Sequence, residues 1–203
     1  MNRSRRMSAE PGTGAGAGLA GLILAAGSGS RFGSPKALVE FEGSRLVDRA
    51  VRVVAGCRPV VVVSGAVSLT VPGAFVVHNP QWATGMGSSL RAGLRALDGL
   101  PGVGAVVVVL VDQPWVGPDA VARLRAVWAS ADGVRVAAAT YGGRRGNPVL
   151  LDRSVWPEVA ALASGDAGAR AFMAVHPELV TPVPCDDTGR PDDVDVPADL
   201  GRK

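Results

Sequence analysis

Residues 103–114, VGAVVVVLVDQP, decide the fold class. The first nine, VGAVVVVLV (103–111), are apolar at every position. A strand with one solvated face alternates apolar and polar residues; one apolar at every position must be covered on both sides, as in a parallel sheet between helices. Working outward, LAGLILA (19–25), PVVVVS (59–64) and AFVVH (74–78) read as three further buried strands. Residues 44–55 place Leu46, Val47, Ala50, Val51 and Val54 at helical spacing. Residues 86–97 set Met86, Leu90, Leu94 and Leu97 on one face, with Arg91 and Arg95 turned away. A helix is predicted over 118–129, with Pro118 near its start. Strands near 134–140 and 147–151 follow, then helices from about 152 and near 167–175, a strand near 179–183 and a short helix from Pro197. Strands alternating with helices predict one Rossmann-like, three-layer α/β domain with a mostly parallel sheet. Such sheets bind ligands at the carboxyl ends of their strands.

The composition narrows the function classes. A chain of 203 residues suits one domain, and 47% apolar residues with only 4% aromatics predict a core of small aliphatic side chains. Of the net charge of +3, Arg3, Arg5 and Arg6 against Glu10 supply +2, so the body is near neutral. No basic stripe points to nucleic acid. Residues 1–18 read as a disordered Gly/Ala-rich tail and 19–203 as the domain. The Arg5-Arg6 pair hints at an export signal, which the short apolar stretch Leu19–Ala26, running straight into a Gly-rich loop, disfavours. No segment approaches the roughly 20 apolar residues of a membrane span. Cys57, Cys185, His78 and His176 lack zinc-site spacing, and this cysteine usage fits a reducing, cytoplasmic setting. Both histidines read as structural.

The first strand runs into LAAGSGSRFGSPKAL (24–38). Gly27, Gly29 and Gly33 let the backbone bend around a polyanion, Arg31 can pair with phosphate oxygens, and Lys36 is a mobile point charge. The spacing is GxGxxxG, not the dinucleotide GxGxxG, and there is no GK[ST]. By itself the stretch is equally a Gly-rich turn closing a βα unit. Asp112 ends the most apolar strand, where a carboxylate is either a Mg²⁺ ligand or a cap in the turn before Pro114. In DVDV (193–196), alternation puts Asp193 and Asp195 on one face. Gly85–Ser89 opens a helix whose free N–H groups, with the hydroxyls of Ser88 and Ser89, can bind a ligand; Thr84 is a candidate N-cap.

Taken together, LAAGSGSRFGSPKAL, NPQWATGMGSSLRAGL (79–94), LVDQP (110–114), YGGRRGNPVL (141–150), GDAGAR (165–170) and DVDVPADL (193–200) resemble the MobA-like NTP transferases, and among them the molybdenum cofactor cytidylyltransferases. The resemblance spans about residues 19–200. It implies a nucleotidyltransferase fold and a Mg²⁺-dependent transfer of CMP from CTP to a phosphorylated pterin-type acceptor, the molybdenum–molybdopterin cofactor, with release of pyrophosphate. It implies that Leu24, Ala25, Ala26 and Gly27 face the base and ribose, that Ser28, Gly29 and Arg31 hold the triphosphate, and that Lys36 neutralises the α-phosphate. Ser64, Gly87 and Ser88 join the nucleotide site, and Asp112 with Asp193 or Asp195 binds the metal. Arg144 and Arg145 would take the acceptor's phosphate. Asn147 stands where many relatives have His. Asp166 and Arg170 would shape the acceptor pocket, although an i,i+4 ion pair explains them equally well. Three alternatives stay open. One is a GTP-using guanylyltransferase, since relatives using GTP carry LAGG where this chain has LAAG. Another is an NAD(P)H-dependent reductase of a nicotine-derived pigment, which the missing GxGxxG disfavours. The third is a non-catalytic partner that hands cofactor to a molybdenum hydroxylase, which intact Lys36 and Asp112 disfavour.

Overall fold

The computed structural model describes residues 18–130 and 133–201. Of the tail expected at 1–18, all but Gly18 lies outside the described residues. The strands are β1 (Gly18–Leu24), β2 (Glu40–Phe41), β3 (Ser44–Arg45), β4 (Val60–Ser64), β5 (Phe75–His78), β6 (Val103–Leu110), β7 (Val136–Tyr141), β8 (Arg144–Asp152) and β9 (Val180–Pro184). The helices are α1 (Leu46–Val53), α2 (Met86–Asp98), α3 (Pro118–Ser130), α4 (Trp156–Leu162) and α5 (Arg170–Val175).

Seven strands form one sheet in the order β5-β4-β1-β6-β8-β7-β9, and β2 and β3 make a separate hairpin. β1, β4, β5 and β6 run parallel, and β7 runs parallel to β9; β8 is antiparallel to both β6 and β7. β6 shows why the strands are apolar throughout. Ala105, Val107 and Val109 pack on one side with Leu46, Val47 and Leu124 of α1 and α3. Val106 and Val108 pack on the other with Leu90, Leu94, Val159 and Phe172 of α2, α4 and α5. That is the expected three-layer architecture. Each fully buried Val or Leu stabilises it by about 1.5–3 kcal/mol.

The departures have local causes. AFVVH is not a buried strand: β5 is the sheet's outer edge, with Phe75 67% exposed. A short apolar run alone cannot distinguish an edge from a centre. β8 begins at Arg144 rather than near 147, because Gly142 (φ 57°) and Gly143 (φ 73°) close a tight turn from β7. Two successive residues with positive φ are what a two-residue hairpin turn requires. Glu42 (φ 48°) and Gly43 (φ 76°) close the unpredicted β2–β3 hairpin in the same way. The helix expected from 152 begins as a 3-10 turn over Arg153–Val155, capped by the Asp152 carboxylate, which accepts from the Ser154 N–H at 3.0 Å.

After β1 the chain moves to β4 on one side; β6 flanks β1 on the other. The carboxyl ends of β1 and β6 therefore border a crevice at the point where the strand order reverses.

Candidate active site

The loop leaving β1 starts pinned. The Ala25 N–H donates to the Val63 carbonyl (3.0 Å), and the Ala26 carbonyl accepts from Ala66 N–H (2.9 Å). The loop then turns back on itself at Gly29 (φ 64°), where a Cβ would stand 1.9 Å from the Ser34 carbonyl oxygen. Only glycine fits. A 3-10 turn over Lys36–Leu38 follows, anchored by buried Ala37, and Lys36 extends into the crevice.

A second wall comes from the end of β6 and a segment near the C-terminus. Val194 is fully buried, and its N–H donates to the Asp112 carbonyl at 2.9 Å. The backbone N–H groups of Asp195 and Val196 donate to Asp199 Oδ2 at 2.8 and 2.9 Å. This pinning brings Asp195 to the crevice. Lys36 Nζ lies 3.0 Å from Asp112 Oδ2 and 3.0 Å from Asp195 Oδ1. Arg31 reaches Asp195 Oδ2 at 3.5 Å from a largely exposed position. Burial acts to lower the Lys36 pKa, but Asp112 and Asp195 together outweigh it and raise it above the usual lysine range. The hydrogen bond from Lys36 holds the Asp195 carboxyl below the usual carboxylate range. Asp193 is pushed up by lost hydration; the hydrogen bond from Gln113 opposes this, and the charges of Asp112 and Asp195 add to it.

The crevice has two lobes, of about 530 and 910 Å³. Leu24, Met86, Leu110, Arg170 and Asp193 line both. The first lobe holds Gly27, Ser28, Gly29, Arg31, Lys36, Asp112 and Asp195, and Trp82 also lines it. The second sets Arg144, Arg145 and Arg170 around a mainly apolar floor of Leu90, Val108, Val149 and Met173. Both volumes suit small-molecule ligands. Among the described residues no group of three or more His, Cys, Asp or Glu is arranged to hold a metal. The Asp112 and Asp195 carboxylates nevertheless converge on one cation, the Lys36 ammonium. That donor set fits Mg²⁺, which commonly takes one or two carboxylates and completes its shell with substrate phosphates and water. No helix among the described residues is long and apolar enough to cross a membrane.

Residues 21–180 match the MobA-like NTP transferase domain. The chain belongs to the MobA-like NTP transferase family. Nicotine blue oxidoreductase of Paenarthrobacter nicotinovorans is 38% identical over 194 residues, which cover 86% of this chain and 91% of that protein. The crystal structure of Rv0371c from Mycobacterium tuberculosis H37Rv superposes with a TM-score of 0.76 at 26% identity, covering 92% of this chain and 97% of that one. A structure of Rv0371c in complex with manganese superposes at 0.68, with 23% identity and coverage of 82% and 88%.

In this MobA-like NTP transferase the start of α2 differs from the sequence expectation. Its first N–H groups are taken: Met86 N–H points to Asp166 Oδ1 (3.4 Å) and Gly87 N–H to the Gly165 carbonyl (2.8 Å). Gly87 is packed so closely on Ala163–Ser164 that a Cβ would meet Ser164 N at 2.6 Å. The Ser88 hydroxyl is buried, facing the carbonyls of Gln81 and Gly85 and accepting from Asn79 Nδ2. Thr84 bonds the Gln81 carbonyl instead of capping, and Gly85 is the N-cap. Asp166 therefore caps α2 from the adjoining 165–166 turn and makes no ion pair with Arg170, whose guanidinium donates to the Asp166 carbonyl at 2.7 Å. Ala25, Ser64, Gly87 and Ser88 line neither lobe, whereas Ser89 lines the first. Arg145 bonds the Met173 carbonyl at 3.3 Å, and Asn147, in the second lobe, accepts from Tyr141 Oη through its carbonyl at 3.1 Å. His78 is exposed on the edge strand β5. His176 lies outside both lobes, bonded to Glu158 (2.7 Å) and Glu178 (3.3 Å). Gln113 and Asp199 hold the acidic segment without having been singled out in the sequence: Gln113 reaches partners 78 and 80 residues away, whereas Asp199 bonds back only three and four residues, within DVDVPADL.

Proposed function

We propose that the chain transfers a nucleoside monophosphate from an NTP, CTP in the first instance, to a phosphorylated acceptor of pterin type. The observation carrying this reading is the convergence of Asp112, Asp195 and Lys36 between a Gly-rich loop and an arginine-rimmed second lobe. The loop from Gly27 to Arg31 cradles the triphosphate through backbone N–H groups and the Arg31 guanidinium. Asp112 and Asp195 would hold Mg²⁺, which when bound would neutralise phosphate charge. Arg144, Arg145 and Arg170 orient the acceptor's phosphate from the second lobe. An oxygen of that phosphate attacks the α-phosphorus in line, a new P–O bond forms, and the bond to pyrophosphate breaks. Lys36 moves from its carboxylate partners to the α-phosphate oxygens and offsets the charge that develops there. No covalent enzyme intermediate is needed, so the gain comes from positioning and electrostatics.

The likeness to nicotine blue oxidoreductase favours a second reading, reduction of an acceptor by NAD(P)H in the same crevice. Hydride transfer has no need of two converging carboxylates with a lysine between them, and the loop lacks the dinucleotide spacing. One assay separates the two. Pyrophosphate release is measured with CTP and GTP, with and without molybdopterin-type acceptor and Mg²⁺, alongside NAD(P)H oxidation with a quinonoid dye. Acceptor-dependent pyrophosphate release from CTP supports the first reading. NAD(P)H oxidation without pyrophosphate release overturns it.

A further inference from the structure

One buried polar side chain beside the crevice has no role in the reaction just described. Gln113 follows Asp112 and is only 8% exposed. Its amide nitrogen donates to Asp193 Oδ1 at 2.8 Å and to the Pro191 carbonyl at 3.0 Å. A carbonyl and an ionised carboxylate only accept, so these two partners fix which end of the amide faces the acidic segment. The other end, Oε1, is buried without a partner. A buried, unpaired acceptor lowers stability, and an apolar side chain of the same shape would avoid that cost. The use of an amide here lies in what its donor end holds.

It holds the segment that carries Asp195. Asp112 Oδ2 and Asp195 Oδ1 each lie 3.0 Å from the same Lys36 nitrogen, so two anions are kept close together. Lys36 draws both carboxylates in, but its long side chain does not by itself fix how far apart they sit. Val194 ties the segment to β6, buried and bonded to the Asp112 carbonyl. Gln113 adds a second tie, at Pro191 and Asp193. In extended chain Asp193 and Asp195 share a face and lie roughly 7 Å apart, so slack at one displaces the other. We infer that Gln113 is a positioning residue: through Asp193 it clamps the 191–195 segment to the end of β6 and so sets the spacing of the Asp112 and Asp195 carboxylates. Asp193 is the anchor of the clamp, and Asp195 is the carboxylate that faces the cation. This inference rests on the nucleotidyl-transfer reading.

The test uses the full chain and Mn²⁺ as the probe, with binding followed by the electron paramagnetic resonance of free Mn²⁺ in the presence of a non-hydrolysable CTP analogue. The variants are Gln113→Met, Asp193→Ala, Asp193→Asn and the double Gln113→Met/Asp193→Ala. Gln113→Met removes the unpaired acceptor together with the two donated bonds, so it should remain folded but bind Mn²⁺ about tenfold more weakly, the usual scale for losing a partner that orients a ligand. kcat should fall with little change in the KM for CTP. Asp193→Ala should match it, and the double variant should be no worse than either single. Asp193→Asn should lose less than Asp193→Ala, because its amide oxygen still accepts from Gln113. Unchanged Mn²⁺ affinity in Gln113→Met, additive losses in the double variant, or equal losses in Asp193→Asn and Asp193→Ala would each overturn the clamp. If Gln113→Met does not fold, the two Asp193 variants decide the matter between them. Wild-type protein that binds no Mn²⁺ overturns the nucleotidyl-transfer reading as well; wild-type binding with an unaffected Gln113→Met overturns the clamp alone.

Discussion

Lys36 and Asp112 are 76 residues apart in the chain, yet their charged atoms meet at 3.0 Å where the loop after β1 faces the end of β6. The strand order makes this meeting possible, since β1 and β6 are neighbours whose carboxyl ends open on the same crevice. Lys36 has two acidic partners there and a raised pKa, so it is a fixed positive charge at every physiological pH.

Lys36→Ala should lower kcat for pyrophosphate release on the order of 10²-fold while KM for CTP moves much less. The ammonium matters most as charge builds on the α-phosphate, so its loss is felt in the transition state. Steady-state kinetics at saturating Mg²⁺ check this. A rise in KM alone would make Lys36 a clamp on the bound nucleotide.

Asp112→Asn keeps size and shape and removes the charge that would hold Mg²⁺. Turnover should fall on the order of 10²-fold or more, with the far-ultraviolet circular dichroism spectrum unchanged. Near-normal Mg²⁺-dependent activity would contradict the role given to this carboxylate.

Asp166→Ala tests the cap on α2. The carboxylate faces Met86 N–H at 3.4 Å from an exposed position, so the loss should sit near the low end of the capping range, about 0.5 kcal/mol. Urea unfolding measures it. A loss of 2 kcal/mol or more would mean that Asp166 also anchors the 163–166 turn.

His176 carries a pH dependence from outside both lobes of the crevice. The hydrogen bond to Glu158 raises its pKa, partial desolvation opposes this, and Glu178 adds to the rise. A raised folded-state pKa means that its stabilising contribution is complete below the ordinary value of 6.5 and is lost as pH climbs through the folded value. The melting temperature of wild type minus that of His176→Gln should therefore be larger at pH 5.5 than at pH 8.5. A difference independent of pH would leave only the ring contact with Phe172, at 4.8 Å, as the source of stabilisation.

Much of the layer structure was legible because strands buried on both faces leave an unmistakable apolar run, as in 103–111. What escaped was position within the sheet. Phe75–His78 and Val60–Ser64 read alike, yet one lies at the edge and the other is covered on both sides. The Gly-rich loop and the terminal acids were visible as motifs, because glycine spacing and alternating Asp carry a physical meaning locally. The fate of the α2 N-terminus was not. Its N–H groups face a turn 80 residues away, and nothing between Gly85 and Ser89 signals that Asp166 and Gly165 will arrive there first. Gln113 escaped for the same reason: its partners, Pro191 and Asp193, are 78 and 80 residues distant.

Ala26 is where base preference should be set. It is 7% exposed and lines the first lobe, and its carbonyl is held by Ala66 N–H at 2.9 Å, so the backbone there has little freedom to move. Gly65 presses on it from the neighbouring turn; a Cβ at Gly65 would stand 2.7 Å from the Ala26 oxygen. With the main chain fixed, the methyl group of Ala26 is the adjustable part of this wall. A single-ring pyrimidine tolerates it, and a purine needs the space. One methyl discriminates by about 1–3 kcal/mol, so the effect is a change in preference and not a switch. Wild type should prefer CTP over GTP, and Ala26→Gly should narrow the ratio by raising kcat/KM for GTP. Some stability, roughly 0.5–1 kcal/mol, should be lost through the added backbone freedom of glycine. The measurement is kcat/KM for both nucleotides on both proteins. An unchanged ratio would move base reading elsewhere on the first lobe, to Trp82 or Ser89. A wild-type preference for GTP would overturn the cytidylyl assignment and leave nucleotidyl transfer standing.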